Sequence, residues 1–298
     1  MAMTISCLIP AYNAAPFLAE ALESALGQTR PPDEIVVVDD GSTDDTAEIA
    51  ARYPVRLIRQ ANRGISGARN ACVAAATGER IAWLDADDLW MPDHLERLEA
   101  ILGDHVMAFG DAVRLFQDGP ETETYLDRST FAALFSPASD EPTVIERGLH
   151  KAFLPGLCVS METTLVRRAD AIRAGLFFSG LATSEDRFHM IALSLLGSAV
   201  HDPHIHAHAR IHGGNTTLAS DLAVAKEKLK ALSLAETAFA RDLDADDRLT
   251  IKRLKREERA RIRRLSADQG LSVFVRAPGA LTDPKQAVRA LRSSAFGD

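Results

Sequence analysis

Along the first ninety residues, short apolar runs alternate with segments whose apolar positions recur every three or four residues. Thr4 to Ile9, Ile35 to Val38, Val55 to Ile58 and Ile81 to Leu84 are four such runs, rich in β-branched and apolar side chains. Runs that are apolar on both faces are the pattern of strands buried in a parallel sheet. Between them, Pro16 opens a helix with an apolar face of Phe17, Leu18, Ala21, Leu22, Ala25 and Leu26. Ser42 or Thr43 caps a second helix, with Asp44 and Asp45 in its first turn to suit the dipole. Gly64 and Gly67 open a third, which runs through Arg69 to Ala76. The βαβαβαβ order implies an α/β fold: a Rossmann-like, mostly parallel sheet flanked by helices.

Beyond residue 90 the pattern loosens. A helix from Pro92 through Leu102 carries Leu95, Leu98 and Leu102 as its stripe, and two short strands are expected at Val106 to Phe109 and Val113 to Phe116. Residues 117 to 160 are irregular and rich in Pro, Ser and Thr, which reads as loops over a groove. Thr163 to Val166 is strand-like, a short helix follows around Ala169 to Ala174, Glu185 begins an apolar helix through Leu196, and Ala199 to Ile211 alternates. From about residue 219 the periodicity is purely helical, Leu222 to Phe239 and then Arg248 to Leu265. The chain therefore divides into an α/β domain over 1–216 and a helical C-terminal extension over 217–298, with a weakly ordered tail from Pro278.

Composition changes this picture in three ways. The formal net charge of the 298 residues is −8, which excludes nucleic acid as a default partner. The helix at 248–264 is the exception, with nine basic and two acidic residues, read either as a solvated face or as a peripheral contact with the anionic inner face of a membrane. The three cysteines, Cys7, Cys72 and Cys158, are scattered and read as free thiols of a reducing, cytoplasmic protein. No apolar stretch reaches the roughly 18–20 residues that span a bilayer, and no signal-peptide pattern opens the chain.

In a doubly wound sheet, ligands bind outside the carboxyl ends of the strands. The polar signals fall there: Tyr12 and Asn13 after the first strand, Asp39 and Asp40 after the second, Asn62 and Arg63 after the third, and Asp85, Asp87 and Asp88 after the fourth. Carboxylates two apart in extended chain point to one side, so Asp85 and Asp87 can share a metal or divide it with a ribose hydroxyl. A turn and helix cap would use the same residues. Asp40 can accept from a base N–H or a sugar hydroxyl, and Tyr12 can stack on a base. Gly64 to Asn70 is a helix N-terminus suited to phosphate, with Arg63 and Arg69 as the diphosphate contacts, yet it is neither a G-x-G-x-x-G nor a P-loop pattern. Glu185 and Asp186 serve either the helix dipole or a general base. Of the clustered His201, His204, His206, His208 and His212, a zinc site is disfavoured because no Cys accompanies them. His212 is the one placed to reach a catalytic metal or a leaving phosphate.

These segments, in this order and spacing, resemble the family 2 glycosyltransferases of GT-A fold: Pro10 to Asn13, Val38 to Asp44, Asn62 to Gly64 with Ala68 to Asn70, Asp85 to Asp88, Glu185-Asp186, and Arg210 to Asn215. The resemblance covers roughly residues 4 to 216. It implies inverting transfer of one sugar from a nucleotide diphosphate sugar, often UDP-linked, to a hydroxyl acceptor (a glycan, a lipid-linked sugar or a protein), in cell-surface polysaccharide or glycoconjugate synthesis. It implies Pro10, Tyr12 and Asp40 at the base, Asp85 at the ribose or sugar, and Asp186 as the catalytic base beside Glu185. Asn13, Asn62, Gly64, Arg69 and Ala86 complete the nucleotide-sugar pocket, with Mn2+ or Mg2+ on Asp87 and His212. Arg187 departs from the aromatic residue common after the Glu-Asp pair. The Gln-x-x-Arg-Trp motif of processive synthases is absent, which favours single addition. The rival readings are a nucleotidyltransferase of related fold and a non-catalytic nucleotide-sugar-binding protein. The first would need a Gly-rich basic loop where Pro10-Ala11-Tyr12-Asn13 stands.

Overall fold

The computed structural model describes residues 3–117, 119–126, 140–156, 159–213 and 220–268. The four expected strands are present as β1 (Ile5–Ala11), β2 (Glu34–Asp39), β3 (Arg56–Arg59) and β4 (Arg80–Trp83), paired in parallel in the order β3-β2-β1-β4. Side chains of β1 alternate between two cores. Ile5, Cys7 and Ile9 pack with the apolar face of α1 (Leu18–Leu26), while Leu8 packs with Ala68, Cys72 and Val73 of α3 (Gly64–Ala75) on the opposite face. The short α2 (Thr46–Ala50) closes the edge beside β2 and β3. Cys7 and Cys72 are buried free thiols, and burial raises both pKa values; Cys158 lies outside the described residues.

Past β4 the sheet becomes mixed. Its path continues through β9 (Thr164–Arg167), β6 (Met107–Phe116), β10 (Ala199–Arg210) and β5 (Leu89–Trp90). Only the β6–β10 ladder in this half is parallel. The two short strands expected between Val106 and Phe116 are one continuous strand. Gly110 and Asp111, which look like a break, are used inside it. A Cβ on Gly110 would lie 1.8 Å from the His206 ring, so only glycine lets that ring pack there. The Asp111 carboxylate accepts from the Ala112 and Leu126 amides. Part of the expected loop region is ordered: β7 (Gly119–Thr124) pairs with β6, β8 (Thr143–Ile145) pairs with β10, and α5 (His150–Phe153) is a single turn. Helix α4 (His94–Leu102) buries Leu95, Leu98 and Leu102 completely, each stabilising by roughly 1.5–3 kcal/mol.

Helix α7 (Glu185–Ser194), which opens with the Glu-Asp pair, follows α6 (Arg168–Arg173) and packs against α8 (Asp221–Ala238). Phe188 of α7 meets Phe239 at 5.0 Å. Leu232 and Ala235 of α8 and Ile251 of α9 (Ala245–Asp268) belong to the same core cluster as the sheet. The expected weakly ordered tail from Pro278 lies outside the described residues. No described helix is long and apolar enough to cross a membrane.

Candidate active site

The carboxyl ends of β1, β2 and β4 bring the expected polar residues to one rim. Pro10 is buried within β1, and Tyr12 beyond it is half exposed. Asn13 adopts φ 49°, a conformation asparagine tolerates. Its Oδ1 accepts from the Thr43 amide at 2.8 Å and its own amide donates to Ser42 Oγ, which ties the first two strand ends together. Asp40 is buried, and its Oδ1 accepts from Gln60 Nε2 at 2.6 Å and from the Arg63 amide at 2.9 Å. Asn62 Oδ1 accepts from the Gly64 amide. Gly41 sits at φ 77°, and a Cβ there would be 2.9 Å from the Asn62 backbone nitrogen.

At the fourth strand end the three carboxylates have separate surroundings. Asp85 is gripped through both oxygens by Arg69 Nη2, at 3.0 and 3.1 Å. Asp87 faces His212 Nε2 at 3.0 Å, and His212 lies against the Phe17 ring at 4.3 Å. Ala86 between them is buried. Asp88 turns inward and accepts from the Arg210 amide at 2.8 Å. Burial, and then the neighbouring Asp85, raise the Asp87 carboxyl pKa, while His212 opposes the shift. The side chains of Asp85, Asp87 and His212 remain 24–30% exposed, so this part of the rim is open to a ligand.

Arg69, expected beside the diphosphate, is 4% exposed and joins two elements. Its Nη1 lies 2.6 Å from Glu185 Oε1, while Nη2 holds Asp85. The helix with the Glu-Asp pair is thereby fixed to the acidic strand end, with Asp85 and Glu185 100 residues apart in sequence. Glu185 is buried with its pKa raised to about 7 by burial and by Asp186. Asp186 is also raised, chiefly by burial, with Arg69 opposing. Arg187 is buried and donates to the Phe153 and Leu154 carbonyls, so the residue that departs from the family pattern anchors α7 to α5.

Sequence reasoning missed Glu162. It lies in the turn two residues before β9, and antiparallel pairing of β9 with β4 carries it to the rim. It is 2% exposed, its Oε1 has no hydrogen-bond partner among the described residues, and its pKa is raised to about 7 by burial and then by Asp85. One oxygen each from Asp85, Asp88 and Glu162 lie within 4.8 Å of one another. Two buried carboxylates crowded against the part-exposed Asp85, one with an orphaned oxygen, could serve as a hard-cation donor set. A lone carboxylate in the apolar run Val159 to Val166 was the available signal. Of the five clustered histidines, His212 is seen to meet a carboxylate of the acidic strand end. His206 is wholly buried with its Nδ1 3.1 Å from His94 Nδ1, His204 pairs with Asp202, and His201 packs on Phe109. Gly214 and Asn215 of the expected motif lie outside the described residues.

A Rossmann-like sheet that turns mixed after its fourth strand, with an acidic cluster at that strand end and helices behind, is a GT-A-like architecture. The family model for glycosyl transferase family 2 matches residues 6–167, more than half of the chain, and the chain belongs to that family. An uncharacterized glycosyltransferase of Nostoc sp. is 47% identical over 102 residues, 32% of this chain and 32% of the relative. The succinoglycan biosynthesis protein ExoO of Rhizobium meliloti is 47% identical over 98 residues, 32% of this chain and 28% of its own length. The matched part spans about a third of these relatives. In fold, the chain is similar to S. aureus TarS 1–349 in complex with UDP-GlcNAc, with a TM-score of 0.66 at 22% identity over 97% of this chain and 84% of that one.

Proposed function

We propose that this glycosyltransferase moves a single sugar from a UDP-linked donor to a hydroxyl acceptor with inversion, in the synthesis of a cell-surface polysaccharide or glycoconjugate. The carrying observation is the Asp85–Arg69–Glu185 bridge, which holds the candidate base Asp186 beside the acidic strand end. Asp186 accepts the acceptor's hydroxyl proton as that oxygen attacks the anomeric carbon. The bond from that carbon to the diphosphate oxygen breaks, and its electron pair leaves with UDP. One in-line displacement inverts the anomeric centre, through a transition state of oxocarbenium character. Tyr12, Asn13 and Asp40 hold the base and ribose end of the donor.

The Asp85, Asp88 and Glu162 oxygens fit a divalent cation, Mn2+ or Mg2+, and the paired Asp87 and His212 on the open side of the same strand end would complete its holders. When bound, it supplies positive charge for the departing diphosphate. The fold shared with a UDP-GlcNAc complex and the relative in succinoglycan biosynthesis support the donor and pathway classes. The test is a thermal-melting screen of nucleotide sugars with and without Mn2+. A true donor stabilises by mass action, about 2.7 kcal/mol at a hundred times its Kd. The expected result is a shift with UDP-sugars that disappears with EDTA; no shift with any nucleotide sugar contradicts the reading.

A further inference from the structure

Helix α9 concentrates positive charge on a chain that is −8 overall, so the remainder is strongly acidic. Its inner cations are neutralised: Lys255 Nζ lies 2.7 Å from Glu236 Oε2, and Arg261 Nη2 lies 2.5 Å from Asp221 Oδ1, both on α8. Arg253 is matched by Glu257 at 3.2 Å. Lys252, Arg256, Arg259 and Arg263 are exposed, and none has an acidic partner among the described residues. At 3.6 residues per turn the four fall within an arc of roughly 60° and form a row roughly 16 Å long. Like charges three and four residues apart repel, so this row is unfavourable in the isolated chain. A plane of external anions relieves that repulsion. Beside the row stands Leu249, 64% exposed, at the rim of a shallow recess lined by Glu236, Leu243, Ala245, Arg248 and Lys252.

We propose that this row seats α9 on an anionic lipid bilayer. The straight, short row matches a flat surface. It carries no exposed aromatic residue on which nucleobases could stack. The acidic remainder of the chain repels a long polyanion that would have to wrap around it. The seat has a fixed relation to the candidate base. Asp247 at the start of α9 accepts from His150 Nε2 at 3.0 Å, and Lys151 Nζ reaches Asp244 at 2.9 Å. Both basic residues belong to α5, whose end is held by Arg187 beside Asp186. Binding itself needs no turnover, so this inference stands or falls separately from the proposed reaction.

The test is co-sedimentation of the full chain with phosphatidylcholine vesicles, with and without 30% phosphatidylglycerol. The expected result is binding to the anionic vesicles alone, lost in 1 M salt. Each of Lys252→Gln, Arg256→Gln, Arg259→Gln and Arg263→Gln should weaken it roughly fivefold, while the acid-paired Arg253→Gln should change it less. Four overt failures are open to the proposal. No binding to anionic vesicles, equal binding to neutral ones, and full binding by the quadruple variant each overturn it. Comparable binding to a duplex oligonucleotide, lost in the same variant, overturns the lipid assignment.

Discussion

Arg69 decides how the candidate site holds its charge. Without it Asp85 and Glu185 would be partly buried carboxylates with no cation, and removing one partner of such a group costs about 3–5 kcal/mol. Arg69→Met should therefore lower the melting temperature and abolish transfer together, and a folded, active variant would remove the bridge from the account. The pH response follows from the same group of residues. Burial and the Asp186 charge push the Glu185 carboxyl up to about 7, and burial lifts Asp186 above the ordinary carboxylate range. A base must be ionised to accept a proton, so the rate should fall as pH drops through the raised Asp186 range. Glu185→Gln removes the neighbouring charge and should move that acidic limb to lower pH. A rate that is flat from pH 8 to pH 5 would contradict the assignment. His189 gives a structural counterpart. Burial lowers its pKa to about 4, with the Gly175 carbonyl opposing. It contributes stability above the unfolded value near 6.5, and that contribution is lost as pH falls toward 4. An NMR titration should find its midpoint near 4, and a midpoint above 6 would contradict its burial.

At the scale of elements, the rim depends on tight strand ends. Gly41 combines φ 77° with a 2.9 Å approach to the Asn62 backbone. Gly41→Ala should cost about 1–3 kcal/mol and weaken nucleotide binding, because the same turn positions Asp40. A chemical-denaturation midpoint equal to that of the wild type would show that the turn can relax. Asp87→Ala should abolish the metal-dependent part of nucleotide binding while leaving the melting temperature nearly unchanged, since Asp87 is partly exposed and its partner His212 can be solvated. Nucleotide affinity that is the same with Mn2+ and with EDTA, in wild type and variant alike, would dissociate Asp87 from the metal.

At the scale of the molecule, the parallel half was legible and the mixed half was not. Four apolar runs, each ending in polar residues, disclosed β1 to β4, because β1, β2 and β4 are buried on both faces and leave an uninterrupted apolar signature, while the half-exposed edge strand β3 leaves a shorter one. The run Val106 to Phe116 misled. Gly110 and Asp111 resemble a turn until the distant His206 ring and the Leu126 amide are seen to require them. Glu162 was invisible for a related reason. Its place at the rim comes from antiparallel pairing of β9 with β4, and local pattern carries no information on which strand lies beside which. Arg69 was expected beside the diphosphate, and its hold on Glu185 is a contact between segments 116 residues apart. What the sequence disclosed were residue types at strand ends; what it concealed were the pairings that turn them into one site.

The claim at the centre of the account is that Asp186, fixed by the Arg69 bridge, is the base for sugar transfer. The most direct measurement is UDP release from a UDP-sugar in the presence of Mn2+ and acceptor, compared between the wild type and Asp186→Asn, with UDP affinity measured alongside. The account predicts a rate lower by about 10²–10⁴-fold with UDP affinity unchanged. A variant that turns over at the wild-type rate, or that loses activity only in proportion to lost UDP binding, would contradict it.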